Sequence, residues 1–450
     1  MMKYFRILSR IVLGIVFIFS GFVEAVDPLG SAYKFGDYFE AFGMGFLDKT
    51  ALPVGIFLSA FELVLGLTLI LGYRRRITYP VLFWFVSFFT LLTLVLAIFN
   101  PVTDCGCFGD ALILTNWQTF LKNLVLMVFV LSLYFSRKSE QELGSIKEWI
   151  AIALFFAGAS WFSVWNYNHL PLLDFRPYKV GTLIREAMEV PEGAPVDEYE
   201  TSLTYRDKET GKSQSFTLET YPRDTLLWEF ESSESRLVAK GYEPPIHDFA
   251  IMDQAGNDLT ERILSDKDYS LLMISYDLNS AREAGLLKAR DWSQLEILAN
   301  DFTFYAVTST TTEETESVSG LLGLGYTFSV ADEIMLKTMV RSNPGFLLIK
   351  NGIIVGKWGS HDFPAMEEIE PGWTELIGNA SAPMDEEAQA LMEAGVYEEF
   401  SFDVLEFDQF SSELVFKKEK EKGERRTVIA FMMGVAIVLL LSQFISPSKA

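Results

Sequence analysis

The chain has 450 residues, half of them hydrophobic, with two cysteines, three histidines and a formal charge of −23. So acidic a chain argues against nucleic-acid binding, which needs basic patches to meet phosphate. No phosphate-binding P-loop, no Gly-x-Ser-x-Gly elbow and no His-Glu-x-x-His occurs, so the familiar hydrolase and nucleotide signatures are missing.

The apolar residues are gathered into blocks. Five of them, Ile7–Val26, Ala51–Leu71, Ile77–Phe99, Trp117–Phe135 and Trp149–Trp165, predict membrane-spanning helices, and Thr427–Ile445 predicts a sixth. Each falls within or close to the roughly 20 residues a span requires. The first block follows Lys3, Arg6 and Arg10 as a signal peptide would, but no small-residue cleavage site follows it, so it reads as a retained helix. Gly14, Ser20 and Gly21 give this helix a small-residue face for close packing.

Basic residues orient the bundle. Lys3, Arg6 and Arg10 place the N-terminus in the cytoplasm, as Arg74-Arg75-Arg76 do the second loop and Arg137, Lys138 and Lys147 the fourth. Alternation then puts the loop Asp27–Thr50, the loop at residue 105 and the long segment after the fifth span outside. The stretch Lys417–Arg426, with six basic residues and three glutamates, runs against this scheme.

Four polar residues interrupt the spans: Glu24 near the outer end of the first, Glu62 within the second, Lys122 and Asn123 in the fourth. Intramembrane charges are costly and face a partner or a cavity. Two readings stand. One is a polar cluster beneath the outer loop that relays a proton or holds a lipid headgroup or a quinone. The other is a Glu62–Lys122 pair that locks helix packing, with Lys122 snorkelling to the interface.

Both cysteines lie in Asp104-Cys105-Gly106-Cys107-Phe108-Gly109-Asp110, between the third and fourth spans. Asp104 and Asp110 flank them, and like charge raises a thiol pKa, making a sluggish nucleophile unless Lys122 or the helix start at Asn116-Trp117 compensates. A disulfide across one glycine closes a small strained ring, which eases its reduction. Gly106 and Gly109 supply the backbone freedom such a loop needs. The pair could cycle between dithiol and disulfide, or form a permanent staple in an oxidising compartment. Metal binding would need a ligand from elsewhere, since none of His169, His247 and His361 lies in the loop, so no metal site is assigned.

The outer segment opens with the proline-punctuated stretch 168–177. Glu198–Tyr205 and Ser213–Leu218 then alternate as a hairpin, with Trp228–Phe230 and Leu237–Ala239 as extensions. From Pro244 strands and helices alternate: a strand at Ser270–Tyr276, a helix at Ser280–Leu298, a strand at Phe302–Thr308, a helix at Ala331–Met339, and a closing hairpin around Asn351-Gly352. This predicts a mixed α/β sheet. The glycine-rich stretch Gly320–Gly325 lacks a strand–turn–helix setting and reads as a loop. The predicted organisation is a four-helix membrane domain at 1–140, a fifth span at 147–166, a small β-rich segment at 167–243, an α/β domain at 244–365, an acidic linker at 366–426 and a C-terminal span at 427–445.

Two resemblances rest on these residues. Phe19-Ser20-Gly21-Phe22, Phe61-Glu62-Leu63-Val64-Leu65-Gly66 and Cys105-Gly106-Cys107-Phe108-Gly109 resemble the DoxX-like membrane family, in particular its methylamine-utilisation MauE-type branch. That resemblance implies a four-helix module tied to thiol and disulfide traffic outside the cytoplasm of a bacterial inner membrane. The overall order resembles DoxX-type proteins of the Bacteroidetes, which implies a periplasm outside. Residues from Pro244 to about Phe363 resemble a thioredoxin-like domain, but Asp277-Leu278-Asn279-Ser280-Ala281 stands where the family carries Cys-x-x-Cys. Asn343-Pro344-Gly345 resembles the family's cis-proline segment, which implies binding of an extended peptide without redox work of its own. Two functions follow as expectations: a membrane thiol–disulfide component exchanging electrons with a quinone or a periplasmic thiol protein, or a non-enzymatic assembly protein whose outer domain grips a partner peptide.

Overall fold

The computed structural model describes residues 2–102, 104–139, 145–191, 193–239, 241–294 and 302–363. The predicted C-terminal span, the acidic linker and the end of the helix expected at Ser280–Leu298 lie outside the described residues. Among the described residues five helices are long and apolar enough to cross a membrane, so the chain is a multi-pass membrane protein, and a mixed α/β domain follows these candidate spans.

The spans are α1 (Met2–Val26), α3 (Ala51–Leu71), α4 (Arg75–Phe99), α5 (Asn116–Ser136) and α6 (Ile146–Asn168), with α2 (Pro28–Ala41) between the first two. The loop expected at Asp27–Thr50 is therefore largely helical. Asp27 caps α2 by accepting from Gly30 N at 2.9 Å, and Pro28 occupies the first turn, where its missing N–H costs nothing. A Thr115–Gln118 capping box starts α5.

Helices α1 and α3 meet backbone to backbone. A Cβ on Gly21 would lie 2.4 Å from Leu63 N, and one on Gly66 would lie 2.7 Å from Ile18 N. Glycine at these points lets the helices approach in a solvent where packing and hydrogen bonds, not hydrophobic exclusion, drive association. Leu13, Leu69, Leu82, Val130 and Leu133 fill the space where α1, α3, α4 and α5 converge.

Residues 183–249 form a separate compact unit. It holds the short α7 (Ile184–Met188) and a sheet ordered β2-β1-β3 from β1 (Glu198–Asp207), β2 (Ser213–Thr217) and β3 (Trp228–Ala239). The two extensions expected at 228–230 and 237–239 are one continuous strand.

The α/β domain comprises β4 (Ile251–Met252), α8 (Thr260–Leu264), β5 (Tyr269–Ser275), α9 (Glu283–Ser293), β6 (Phe302–Thr308), α10 (Thr312–Leu322), β7 (Phe328–Ala331), α11 (Glu333–Met339), β8 (Gly345–Lys350) and β9 (Ile353–Gly359). Its sheet runs β4-β7-β6-β5-β8-β9. The strand β5 pairs parallel with β6 and antiparallel with β8, and β8 turns back into β9. Leu271–Ser275 is buried throughout, as a central strand covered on both faces requires. The expected glycine-rich loop is corrected in part: Gly320–Leu322 completes α10, and Gly323, at φ +61°, ends it as a left-handed cap. The turn at Asn351 (φ +49°) and Gly352 (φ +76°) joins β8 to β9 as expected.

Candidate functional site

The loop between α4 and α5 is closed at its base by a bridge between Asp104 and Thr115, and Asn116 Nδ2 donates to Asn100 Oδ1 at 2.9 Å and to Val102 O at 2.7 Å. Gly106 and Gly109 adopt φ of +69° and +50°, so both turns fall at the glycines singled out in the sequence. Neighbouring helices hold the loop. Ser20 of α1 donates to Cys107 O at 2.8 Å, and Tyr38 of α2 donates to Cys105 O at 2.5 Å. The sulfurs of Cys105 and Cys107 lie 3.0 Å apart and carry no disulfide.

Both flanking aspartates have cationic partners. Lys34 of α2 pairs with Asp104 at 2.5 Å, and Gly106 N donates to the other Asp104 oxygen at 3.1 Å. Arg341, just after α11, pairs with Asp110 at 3.1 Å. The expectation that these acids would suppress thiol ionisation is therefore revised. The hydrogen bond between the sulfurs holds the Cys105 thiol below its ordinary value, with Tyr38 and the Lys122 charge adding to it against burial. The same bond, with burial, pushes Cys107 well up. Of the two sulfurs Cys105 is the more easily ionised and Cys107 the less, an asymmetry suited to stepwise exchange.

Beneath the sulfurs lies a cavity of about 520 Å³, to which Cys105, Cys107, Glu24, Glu62, Lys122 and Asn123 all contribute. The structure thus gathers the four intramembrane polar residues around one space with both thiols. The alternative Glu62–Lys122 ion pair does not form among the described residues. Lys122 Nζ instead sits 4.3 Å over the Phe108 ring, Glu62 leaves Oε2 buried without a hydrogen-bond partner, and Asn123 donates to Thr93 Oγ1 at 3.2 Å. The remaining wall is mostly apolar, with Phe17, Phe35, Phe39, Phe85 and Phe89 beside aliphatic residues such as Val54, Leu58 and Leu92.

A second, polar cavity of about 350 Å³ adjoins Glu24 and Lys34 and is bordered by Asp27, Asp37, Asp110, Lys337 and Arg341. Sequence reasoning missed Lys34, Tyr38, Asp27 and Arg341, which belong to a helix taken for loop and to a domain more than 200 positions away. The short polar run on α2 was the only available signal. Arg341 Nε donates to Asp27 at 3.1 and 2.8 Å and its Nη1 to Lys337 O at 2.5 Å. Burial would raise Asp27, but Arg341, Arg176 and the Gly30 N–H hold it below its ordinary value. At Asp110 burial prevails over Arg341 and the pKa is raised.

The predicted peptide-binding residues Asn343, Pro344 and Gly345 lead into β8, and the Asn343–Pro344 bond is cis. Asn343 Nδ2 donates to Asp277 O at 2.6 Å and to Ser280 Oγ at 3.2 Å, while Ser275 Oγ donates to Asn343 Oδ1 at 2.7 Å. The loop at 277–281 is thus bound to the proline segment through polar contacts. Away from the cysteines, His169, His361 and Asp362 converge, their ligand-type atoms all within 4.8 Å of one another. This grouping joins the end of α6 to the turn after β9 and was not anticipated from the sequence.

Residues 2–136 match the family described as "Methylamine utilisation protein MauE". The membrane module is MauE-like over that stretch, which includes the cysteine loop and all four intramembrane polar residues. No curated protein and no solved structure matches the chain.

Proposed function

We propose that this protein is a membrane thiol–disulfide redox component working through Cys105 and Cys107, with its α/β domain on the periplasmic side of a bacterial inner membrane. The observation that carries the reading is the pairing of unlike sulfurs, 3.0 Å apart, at the mouth of a cavity within the helix bundle. Once its buried side chain is uncovered, the Cys105 thiolate attacks a sulfur of a partner disulfide, forming a mixed disulfide and releasing one partner thiolate. Cys107, once deprotonated, attacks the Cys105 sulfur, releases the second partner thiolate and leaves a Cys105–Cys107 disulfide. The partner is reduced by two electrons and the loop oxidised by two; the reverse sequence oxidises a partner dithiol.

The α/β domain is read as thioredoxin-like, supported by the strand order β6-β5-β8-β9 with antiparallel β8 and by the proline segment beside the loop at 277–281. Without cysteines it cannot exchange disulfides, and its part is to hold a partner peptide at the half-buried Asn343, since Pro344 and Gly345 are themselves buried in the domain. The alternative is an assembly protein with a permanent Cys105–Cys107 staple. Alkylation mass-tagging in cells tests the reading. A mixture of dithiol and disulfide that shifts under reductive stress supports it. A fully oxidised pair whose double replacement by serine leaves function intact overturns it.

A further inference from the structure

We infer that the cavity beneath the cysteine loop binds the ring of a lipid-soluble quinone, which accepts the two electrons released when Cys105 and Cys107 form a disulfide. The inference rests on the thiol-cycling reading and names the acceptor at the same site.

Four observations point to a quinone. The cavity, at about 520 Å³, falls in the range of roughly 300–1,000 Å³ typical of small-molecule sites. Its walls are mostly apolar, with aromatic rings such as Phe17, Phe39 and Phe85 interleaved with aliphatic side chains such as Val54 and Leu58, surfaces suited to stacking on a flat ring and to an apolar tail. The thiols line the same space, so electron transfer needs no movement of the loop. The polar groups are also of the required kind. Lys122 offers N–H donors to a carbonyl oxygen that becomes negative on reduction, and Glu62 keeps a buried carboxyl oxygen without a partner. Polar groups at membrane depth that leave hydrogen-bonding capacity unused mark a ligand or ion path. A soluble disulfide carrier would need neither the apolar walls nor the intramembrane acids.

The step balances. The dithiol loses two electrons and two protons, both S–H bonds break and one S–S bond forms. The quinone gains the same two electrons and two protons and leaves as the quinol, with an O–H bond at each former carbonyl oxygen. Glu62 and Glu24 are the acids through which the thiol protons can pass. Glu24 lines both the apolar cavity and the adjoining polar one, giving protons an exit on the side of Asp27 and Asp37.

The test uses the full chain, reduced and purified into nanodiscs of quinone-free phospholipid. A short-chain benzoquinone or naphthoquinone is added, and quinol formation and alkylatable thiols are followed together. The expected result is one quinol per chain with loss of both thiols, and no quinol from Cys105→Ser/Cys107→Ser. Leu126→Trp, which projects bulk into the cavity, should raise the quinone concentration for half-maximal rate at least tenfold; its thermal unfolding is measured alongside, and Leu126→Phe replaces it if it does not fold. Wild-type protein that is oxidised by a soluble disulfide but reduces no quinone overturns the inference and leaves cysteine cycling standing. Protein oxidised by neither overturns both. A cavity that retains phospholipid by mass spectrometry and gives no quinone reduction identifies a structural lipid and also overturns it.

Discussion

Arg341 donates from Nε to both carboxylate oxygens of Asp27, at 3.1 and 2.8 Å, and so ties the segment just before Asn343-Pro344 to the junction of α1 and α2. Its Nη2 reaches Asp110 at 3.1 Å, so a single guanidinium links the α/β domain to both the helical frame and the cysteine loop. The group is 8 % exposed and Asp27 17 %, which keeps water from screening the pair.

Arg341→Met should therefore destabilise the protein strongly. It leaves the shielded Asp27 carboxylate without its main counter-charge, a change worth about 3–5 kcal/mol for a buried pair, while Asp110, 38 % exposed, is solvated by water and adds little. Arg341→Lys should recover only part, because an ammonium cannot reproduce the forked geometry. Thermal unfolding in detergent measures both; a Met variant that melts with the wild type would contradict the assigned role.

The acid limb of stability should report Asp174. Burial would raise its carboxyl, but Lys357 and Arg176 pull it from 3.8 down to about 2, with hydrogen bonds at 2.7 Å from Lys357 and at 2.8 and 3.0 Å from Arg176. A carboxylate lowered on folding contributes stability fully present above its unfolded pKa and lost as pH falls through the folded one. The shift corresponds to about 2 kcal/mol, lost between pH 4 and 2. Lys357 acts elsewhere on the scale: burial and Arg176 hold it down to about 7 despite Asp174, so its linkage lies at neutral to alkaline pH. Asp174→Asn should flatten the acid limb in a denaturation series run against pH.

Cys107→Ala should slow alkylation of Cys105 at neutral pH. The substitution removes the hydrogen bond that most favours the Cys105 thiolate, so the midpoint of the alkylation-rate profile should move up in pH. Lys34→Met should move it the same way by removing a cation that pairs with Asp104 beside the thiol. A profile unchanged in both variants would refute the assigned division of labour between the sulfurs.

Gly21→Val should prevent normal packing of α1 on α3. Even a methyl carbon at this position would sit 2.4 Å from Leu63 N and 2.6 Å from Ser59 O, both backbone atoms that cannot step aside. Overpacking of this kind typically costs about 1–3 kcal/mol, and contact with rigid backbone places it at the upper end. Gly158→Val, with nothing near its Cβ direction, is the matched control. Detergent-stable yield and melting temperature should fall for the first variant and hold for the second.

The spans could be read directly because length and apolarity alone define them, and the cysteine loop because two thiols flanked by glycine and aspartate stand out against apolar sequence. The strands β5, β6 and β8 were equally plain as short, mostly apolar runs. Helix α2 was not, since Pro28-Leu-Gly-Ser reads as a turn until Asp27 is seen to cap it. The short β7 and helix α10 escaped notice because threonine, glutamate and glycine carry little helical periodicity. Arg341 was beyond reach for a different reason: a pair with Asp27 spans 314 positions, and nothing local to either residue announces the other. The convergence of Glu24, Glu62 and Lys122 depended in the same way on how helices turn about their own axes, which one sequence does not specify.

The cysteine loop is moored by its peptide carbonyls, Cys105 O to Tyr38 and Cys107 O to Ser20. The Ser20 tether does not involve a sulfur, so gaining or losing a pair of electrons need not loosen it, whereas Tyr38 also acts on the Cys105 sulfur. The surrounding helices can keep the same shape in both oxidation states, and turnover need not be paced by any large rearrangement of the bundle.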